Sequence, residues 1–278
     1  MRRIGGHVSI AGNLVNAITN SVNIGGNCLQ MFAGSPRLWA RKPFAAGDVD
    51  SFLKASAKYD IDPIFIHALY LVNLASINQD ILDKSISSLI IDMQNGARLH
   101  SAGVIVHIGS HLGAGFDSVK DQLVTVIDSI LGSTDNCDLI LENDAGQNGK
   151  IGSPEEISYL IKTINNNRLK MCLDSAHLFE SGVDIRDAQV VEKFSQQIIN
   201  LGLADKLVCL HLNDSATALD SHHDMHANLG EGEIGISGLK NLVNHHTFTK
   251  LPLILEVPGV NRTGVDFKNI TVAKSLIN

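Results

Sequence analysis

The sequence lacks several features that would assign it to a common class of protein. It has 6 Pro and 4 Cys among 278 residues, and aromatic residues make up 5%. It contains no Cys-x-x-Cys pair and no apolar run near the roughly 18 residues of a membrane-spanning helix. Gly5, Gly6 and His7 stand where a secretory signal would have an apolar core. We therefore expect a cytoplasmic protein whose cysteines pack in the core without disulfides.

The chain also lacks the basic excess that is typical of nucleic-acid-binding domains. Its formal charge is −7, from 22 Lys and Arg against 29 Asp and Glu. Local charge at a site matters more than net charge, so this balance alone does not exclude a nucleic-acid ligand. Histidine, in contrast, is abundant, with 12 residues. Because histidine is the commonest metal-ligating side chain, the positions of these residues carry the functional information.

Eight short apolar runs recur along the chain, most of them followed by an amphipathic stretch of helical length. Their length and β-branched content are typical of parallel strands that are buried on both faces. No Gly-x-Gly-x-x-Gly follows the first run, which disfavours an open dinucleotide-binding sheet. We therefore predict a single (β/α)8 barrel domain over residues 1–278. The runs are 3–8, 28–32, 63–68, 103–108, 138–143, 169–174, 206–213 and 251–257.

The stretches between the runs predict the helices of the barrel. In Ser153-Pro154-Glu155-Glu156, a capping serine precedes proline at the first helical position and glutamate at the third. This pattern marks the start of one helix. The stretches of helical length are 13–24, 48–59, 80–100, 118–131, 155–166 and 187–201.

Six of the eight runs end in a residue that can bind a metal ion. In a barrel these ends lie on the C-terminal rim, where barrel enzymes keep their catalytic groups. A single histidine in such a position is more often a hydrogen-bonded buried residue than a ligand. Several imidazoles and carboxylates buried together, however, need cations. The six residues are His67, His107, Glu142, Asp174, His211 and Glu256.

Three more candidate ligands lie just beyond the strand ends: His177 in Asp174-Ser-Ala-His177, and Asp224 and His226 in Asp224-Met-His226. Nine ligands exceed the four that one tetrahedral zinc takes, so we expect more than one ion and room for three. Nitrogen and oxygen ligands suit zinc, with manganese or iron as the other candidates. The roles of His7 and His111 stay open, and His7 is a candidate hydrogen-bond donor or phosphate contact. The remaining histidines are expected at the solvated surface: His100, His222, His223, His245 and His246.

An ordered set of motifs runs along nearly the whole chain. The motifs are Gly6-His7-Val8-Ser9, His107-x-Gly-Ser-His111, Leu141-Glu142-Asn143-x-Ala-Gly-Gln147, Leu173-Asp174-x-x-His177, His211-Leu-Asn-Asp214, Asp224-x-His226, Leu229-Gly-Glu-Gly232 and Ile254-Leu-Glu256. Each motif alone could arise by chance, but the set in this order and spacing is specific. It resembles the endonuclease IV family.

The resemblance implies three zinc ions held by all nine candidate ligands. His67, His107 and Glu142 would hold the first ion, and Glu142 would bridge to the second. Asp174, His211 and Glu256 would complete the second site, and His177, Asp224 and His226 would form the third. Glu142 and Glu256 would also be the catalytic residues. The sequence departs from the family pattern at Ile108, Met225 and Ala227, which lie beside ligands without replacing any.

The resemblance also implies a surface that binds DNA. Arg37, Tyr70 and Leu71 match residues that family members insert into DNA at a lesion. The loop from Arg37 to Lys42 mixes basic, aromatic and apolar side chains, which can hold phosphates and wedge into a base stack. The other interpretation is that Tyr70 and Leu71 pack at a helix start and that the loop is merely solvated.

The implied reaction is DNA repair by hydrolysis of the phosphodiester on the 5′ side of an abasic site. A hydroxide held by the metal ions would attack phosphorus and leave a 3′-hydroxyl. The expected partner is double-stranded DNA with abasic sites or blocked 3′ ends, cut by a monomer. Two alternatives stay open: a metal-dependent sugar isomerase on a related barrel, and a non-catalytic lesion-binding protein. The isomerase would leave His177, Asp224 and His226 without a role.

Overall fold

The structure is a computed structural model that describes residues 2–278. These residues form short strands that alternate with α-helices. The strands are β1 (Ile4–His7), β2 (Leu29–Phe32), β3 (Ile64–His67), β4 (Gly103–Val106), β5 (Leu139–Glu142), β6 (Leu169–Asp174), β7 (Leu207–His211), β8 (Asp214–Ser215), β9 (His226–Ala227) and β10 (Leu253–Leu255). The helices are α1 (Asn16–Asn23), α2 (Ala46–Tyr59), α3 (Gln79–Arg98), α4 (Lys120–Gly132), α5 (Pro154–Ile164), α6 (Ser175–Glu180), α7 (Ala188–Asn200), α8 (Gly235–Val243) and α9 (Phe267–Leu276).

Eight strands form a closed parallel barrel, which confirms the predicted (β/α)8 fold. Around the barrel the order is β1, β10, β7, β6, β5, β4, β3 and β2. Each predicted run contains one barrel strand; β6 has the predicted bounds, and the other strands are shorter than their runs. Because neighbouring strands are parallel, their C-terminal ends meet on one rim and bring sequence-distant residues together.

Two layers of buried apolar side chains stabilise the barrel. The larger layer lies between the strands and the surrounding helices, and includes Leu29, Met31 and Phe52. All four cysteines are free and buried, as predicted. Three of them lie in the second layer, which faces the barrel axis and consists of Cys28, Phe65, Ile105, Ile140, Cys172, Cys209 and Ile254.

The predicted helix start at Ser153 is confirmed. The Ser153 hydroxyl accepts a hydrogen bond from the N–H of Glu156, and the Glu156 carboxylate accepts one from the N–H of Ser153. Other bounds shift by a few residues, and α1 begins at Asn16 rather than near residue 13. Across residues 2–278, no helix combines the length and the apolar character that a membrane crossing requires.

A small hairpin of β8 and β9 lies outside the barrel and was not predicted. Glu180, at the end of α6, accepts hydrogen bonds from the Ser215 hydroxyl and the Met225 N–H, and so holds both sides of the hairpin. The Asp214 carboxylate binds the loop that follows. A Cβ at Gly232 would lie 2.6 Å from Asp214 Oδ1, so only glycine allows this approach. The backbone N–H groups that donate to Asp214 are those of Gly230, Gly232, Ile234 and Gly235.

Candidate metal centre

All nine sequence-predicted ligands meet at the C-terminal rim of the barrel. Four are the last residues of strands: His67 of β3, Glu142 of β5, Asp174 of β6 and His211 of β7. Two lie one residue beyond a strand, His107 after β4 and Glu256 after β10. His177 is in α6, His226 begins β9, and Asp224 lies two residues before it.

The nine residues form three groups that share members. In the first, His67 and His107 face Glu142, with Nε2 to Oε2 distances of 3.3 and 3.4 Å. The second consists of Glu142, Asp174, His211 and Glu256. Glu142 therefore belongs to both groups, as the resemblance implies.

The third group differs in one respect from the predicted set. His177 and His226 Nε2 lie 3.3 and 3.5 Å from Asp224 Oδ1. Asp174 Oδ2 also lies 3.7 Å from His226 Nε2, and Asp174 forms a ligand-like group with the two histidines. Asp174 thus lies between the second and third groups, whereas the family resemblance implies only the second.

The spacing of these atoms fits a shared zinc ligand shell. Two ligands that each lie 2.0–2.1 Å from a tetrahedral zinc are about 3.3 Å apart. His67, His107 and His177 lie 3.3, 3.4 and 3.3 Å from their carboxylates, longer than an ordinary N–H···O hydrogen bond. His211 is an exception, because its Nδ1 lies 2.7 Å from Glu142 Oε1. The donor set and its distances therefore fit zinc.

Burial makes this cluster dependent on positive charge. Glu142, Asp174 and His211 have no exposed surface. Burial raises the pKa of the Glu142 carboxyl, but His107 and His211 outweigh it and hold that pKa well below its usual range. Burial lowers the pKa of His177, and the carboxylates of Asp174 and Asp224 raise it well above its usual range. Carboxylates held ionised in this way are the form that binds cations.

Each of the five candidate histidine ligands has one ring nitrogen next to an oxygen atom on the side away from the cluster. The other nitrogen then faces the carboxylates, an arrangement typical of metal-binding histidines. Nε2 of His177 and of His226 are buried without a hydrogen-bond partner among the described residues. The paired atoms are His67 Nδ1 with Ala68 O (2.7 Å), His177 Nδ1 with Asn143 O (2.9 Å), His226 Nδ1 with Glu256 O (3.4 Å), His211 Nε2 with Gln30 Oε1 (2.8 Å) and His107 Nδ1 with Asp144 Oδ2 (3.2 Å).

Sequence reasoning missed two residues that support the ligands, Gln30 and Asp144. Gln30 is buried in β2, donates to Glu256 Oε1 at 2.6 Å and accepts at His211. A glutamine within an apolar strand was the available signal, because a buried amide needs partners. His7, whose role was open, lies 3.3 Å from Glu256 Oε1 and 3.0 Å from Gln30 Nε2.

Two further histidines have structural partners. His111 Nδ1 accepts hydrogen bonds from the N–H groups of Gly113 and Gly115, and so shapes its own loop. His222 is exposed as predicted, but its ring also contacts the carbonyl of Ala145 at 2.7 Å. Of the departures from the family pattern, Ile108 is buried and Met225 is 47% exposed.

The predicted DNA-contact residues lie on loops that follow β2 and β3. Tyr70 and Leu71 are 62% and 40% exposed and form a turn before α3 rather than its first residues. The Tyr70 ring packs edge-on against Phe32, with the ring centroids 5.2 Å apart. Arg37 is exposed. A cleft of about 480 Å³ lies beside this surface and is lined by residues 7–11, 32 and 34–36.

One basic residue of the Arg37 to Lys42 loop is not available to phosphates. Arg41 is buried and pairs with Asp92 of α3, with Nε 3.1 Å from Oδ1. The same guanidinium donates to the carbonyls of Ser35 and Leu38. Arg41 therefore fixes the loop to the helix, and the expectation that the whole basic group faces DNA was too broad.

Comparison with known proteins agrees with this architecture. Residues 18–275 match a family model described as a xylose isomerase-like TIM barrel. The chain is 36% identical over 262 residues to the probable endonuclease 4 of Haloquadratum walsbyi, with 94% of each chain covered. The crystal structure of endonuclease IV from Thermus thermophilus superposes with a TM-score of 0.86 at 31% identity, over 99% of this chain and 98% of that one. A D-tagatose 3-epimerase-like protein superposes over 99% and 96% with a TM-score of 0.71 at 18% identity, a likeness of fold alone.

The contacts of Gln30 generate a test of the support around the ligands. We expect Gln30→Leu to lower the free energy of unfolding by about 1–3 kcal/mol, because His211 and Glu256 lose a buried hydrogen-bond partner. Urea denaturation in the presence of a chelator measures this loss without a contribution from metal. Met31→Leu, one residue along the same strand, is the matched control because it conserves volume in the apolar layer. Equal losses in the two variants would contradict the assigned role of Gln30.

Proposed function

This chain belongs to the endonuclease IV family of DNA endonucleases, and we propose that it cuts DNA on the 5′ side of abasic sites. The product is a strand with a 3′-hydroxyl. One observation carries the proposal: nine nitrogen- and oxygen-bearing side chains converge on one rim in three groups at ligand spacing. Three such groups exceed what one tetrahedral zinc requires.

The residues present fit three zinc ions. His67, His107 and Glu142 would hold the first, and Glu142, Asp174, His211 and Glu256 would hold the second. His177, His226 and Asp224 would hold the third, with Asp174 beside them. When bound, zinc lowers the pKa of water to near neutrality and neutralises charge on the phosphate.

The side chains around the ions orient the reacting groups. Glu142 lies between the first two groups, and its two oxygens face different histidines, Oε2 toward His67 and Oε1 toward His211. Glu256 receives the amide of Gln30 and lies next to His7, so its carboxylate is held in one orientation at the edge of the cleft. We assign Glu142 and Glu256 to positioning the attacking water and the phosphodiester.

Recognition of the lesion falls to the exposed loops beside the cleft. Tyr70 and Leu71 present apolar surface, and the Tyr70 ring lies against Phe32 and His67, at the mouth of the metal centre. Apolar side chains in such a position can fill the space of a displaced nucleotide. An abasic sugar has no base pair to break, so extruding it costs less than flipping an intact nucleotide. Arg37 is exposed on the neighbouring loop, and we assign it to contact a phosphate.

The same features bear on the alternatives. All nine ligands come from one chain, which supports a monomer as the active form. A sugar isomerase would need one or two ions and would leave the third group without a role. A lesion-binding protein without activity would not need the ordered set of Glu142, Glu256 and their supporting residues.

The direct test is to incubate purified protein with a duplex that contains one abasic site, with and without a chelator. We expect a nick on the 5′ side, a 3′ end that a DNA polymerase extends, and loss of cutting after chelation. Elemental analysis of protein never exposed to chelator should give about three divalent ions per chain. Binding without cutting would overturn the proposal in favour of a lesion-binding protein. One or two ions without cutting would favour the isomerase.

Glu256→Gln tests the second group. The amide keeps the size of the side chain but is a poor zinc ligand, so we expect incision to fall about 100-fold or more while the fold is retained. Incision rate, zinc content and melting temperature are measured on one preparation. Asp128→Asn, which makes the same change from carboxylate to amide at an exposed position on α4, is the matched control. A near-normal rate for Glu256→Gln would remove Glu256 from the mechanism.

Replacing both Tyr70 and Leu71 with Ala tests the lesion surface. We expect incision of abasic duplex to fall about tenfold or more, because contacts made after extrusion of the sugar are lost. Zinc content and cleavage of a small phosphodiester, which needs no extrusion, should be unchanged.

The control for this pair replaces Tyr59 and Ile199 with Ala. Both are exposed apolar residues at the C-terminal ends of helices, which lie at the opposite end of the barrel from the metal centre. The control should incise normally. The Tyr70/Leu71 double variant could instead lose activity equally on both substrates and melt at a lower temperature. That result would mean that the pair serves packing.

A further inference from the structure

We propose that Asp144 and Lys150 form a charge pair that positions His107 and Asp224 and thereby links the first ion site to the third. Neither residue belongs to the ligand set. The inference rests on the proposed metal centre, but it assigns a role to two loop residues that the centre itself does not require.

His107 differs from the other four histidine ligands in the atom that supports it. Those four have a neutral carbonyl oxygen beside the ring nitrogen that faces away from the cluster. His107 Nδ1 instead lies 3.2 Å from the carboxylate oxygen Oδ2 of Asp144. Both atoms are buried, and neither has a well-aligned hydrogen-bond partner among the described residues. A carboxylate in this position fixes the tautomer of an imidazole and makes it a stronger ligand.

Asp144 is fixed in place and needs a compensating cation. Its side chain is only 1% exposed, and its other oxygen, Oδ1, accepts a hydrogen bond from the N–H of Gly146. A buried carboxylate without a partner is costly, and His107 supplies a full positive charge only when protonated. A histidine that binds a metal ion is not protonated, so Asp144 requires a second source of positive charge.

The ammonium group of Lys150 supplies that charge and also lies near a residue of the third site. Its Nζ lies 3.3 Å from Asp144 Oδ2 and 3.7 Å from Asp224 Oδ2. Asp224 Oδ1 in turn faces the Nε2 atoms of His177 and His226. A continuous chain of charged contacts thus runs from His107 through Asp144 and Lys150 to Asp224.

The backbone holds Lys150 at this point. The loops after β4 and β5 are joined by hydrogen bonds from His111 N–H to Gly149 O and from Ile151 N–H to Gly109 O. The Ser110 hydroxyl also donates to Asn148 O. Because these contacts flank Lys150 on both sides, the ammonium group is presented to the two carboxylates by an ordered segment rather than by a free loop.

The test compares retention of zinc in Asp144→Asn, Lys150→Met, Lys150→Arg and the Asp144→Asn/Lys150→Met double variant. Zinc remaining on the protein is measured against increasing chelator. We expect Asp144→Asn to weaken retention about 10- to 100-fold and Lys150→Met about 2- to 5-fold. Lys150→Arg, which keeps the charge, should restore it. The loss in the double variant should be smaller than the product of the single losses, because the two residues act through one contact.

Lys84→Met is the matched control, since Lys84 also pairs with an aspartate, Asp80, on a helix surface. It should retain zinc normally. Unchanged retention in Asp144→Asn, or single losses that multiply in the double variant, would overturn the link. If Asp144→Asn does not fold, the comparison of zinc retention in Lys150→Met and Lys150→Arg still tests the link. Lys150 is partly exposed, so both of these variants are expected to fold.

Two other results would separate failure of this link from failure of the proposed metal centre. If Lys150→Met retains zinc but binds undamaged duplex more weakly with a shallower salt dependence, Lys150 is a phosphate contact and the link is wrong. If wild-type protein itself holds no zinc, the proposed metal centre fails. Zinc in the wild type and in every variant alike overturns the Asp144–Lys150 inference alone.

Discussion

Glu142 has no exposed surface, yet its two carboxylate oxygens lie within 3.7 Å of nitrogen atoms on four histidine rings. A carboxylate so far removed from water is tolerated only where positive charge or hydrogen-bond donors surround it. Three strands and the short helix α6 deliver those rings, so the surroundings of this one buried charge depend on the registers of β3, β4 and β5 and on the position of β7. Asp174 helps to place α6 as well, because it both faces the cluster and caps that helix through Oδ1.

The barrel and the polar residues at its rim could be predicted from the sequence. Buried parallel strands are near-continuous apolar runs, and the polar residue that ends each run is easy to recognise. His67, Glu142, Asp174 and His211 are such residues. Gln30 escaped notice because it lies inside a run, between Leu29 and Met31, where periodicity says nothing about a partner 181 or 226 residues away.

Other features depend on the path of the chain in space. Asp144 and Lys150 belong to one loop, and only its folded course brings them together with His107 and Asp224. Arg41 looked like part of a basic surface, but it turns inward to Asp92, 51 residues later. The strands β8 and β9 have two residues each, too few for any periodic pattern. His177, Asp224 and His226 were candidate ligands from short motifs that are not specific alone, and only the family resemblance grouped them as a third site.

The formal charge of −7 gives little information about where DNA would bind, because the acidic residues are unevenly distributed. Several of them lie buried in the metal centre, where they face histidines and Lys150 rather than solvent. The exposed rim beside the cleft instead carries Arg37, Tyr70 and Leu71. At this end of the molecule, acidic side chains are therefore buried, whereas the exposed rim carries basic and apolar side chains.

The candidate metal centre draws its residues from different parts of the fold. Six candidate ligands are at or next to the ends of barrel strands, whereas Asp224 and His226 are carried by a segment that Glu180 and Asp214 attach to the barrel. The D-tagatose 3-epimerase-like protein shares the barrel at 18% identity, so this frame tolerates wide divergence of sequence. Two of the nine candidate ligands thus depend on a single connection, whose two short strands form a sheet of their own, separate from the barrel.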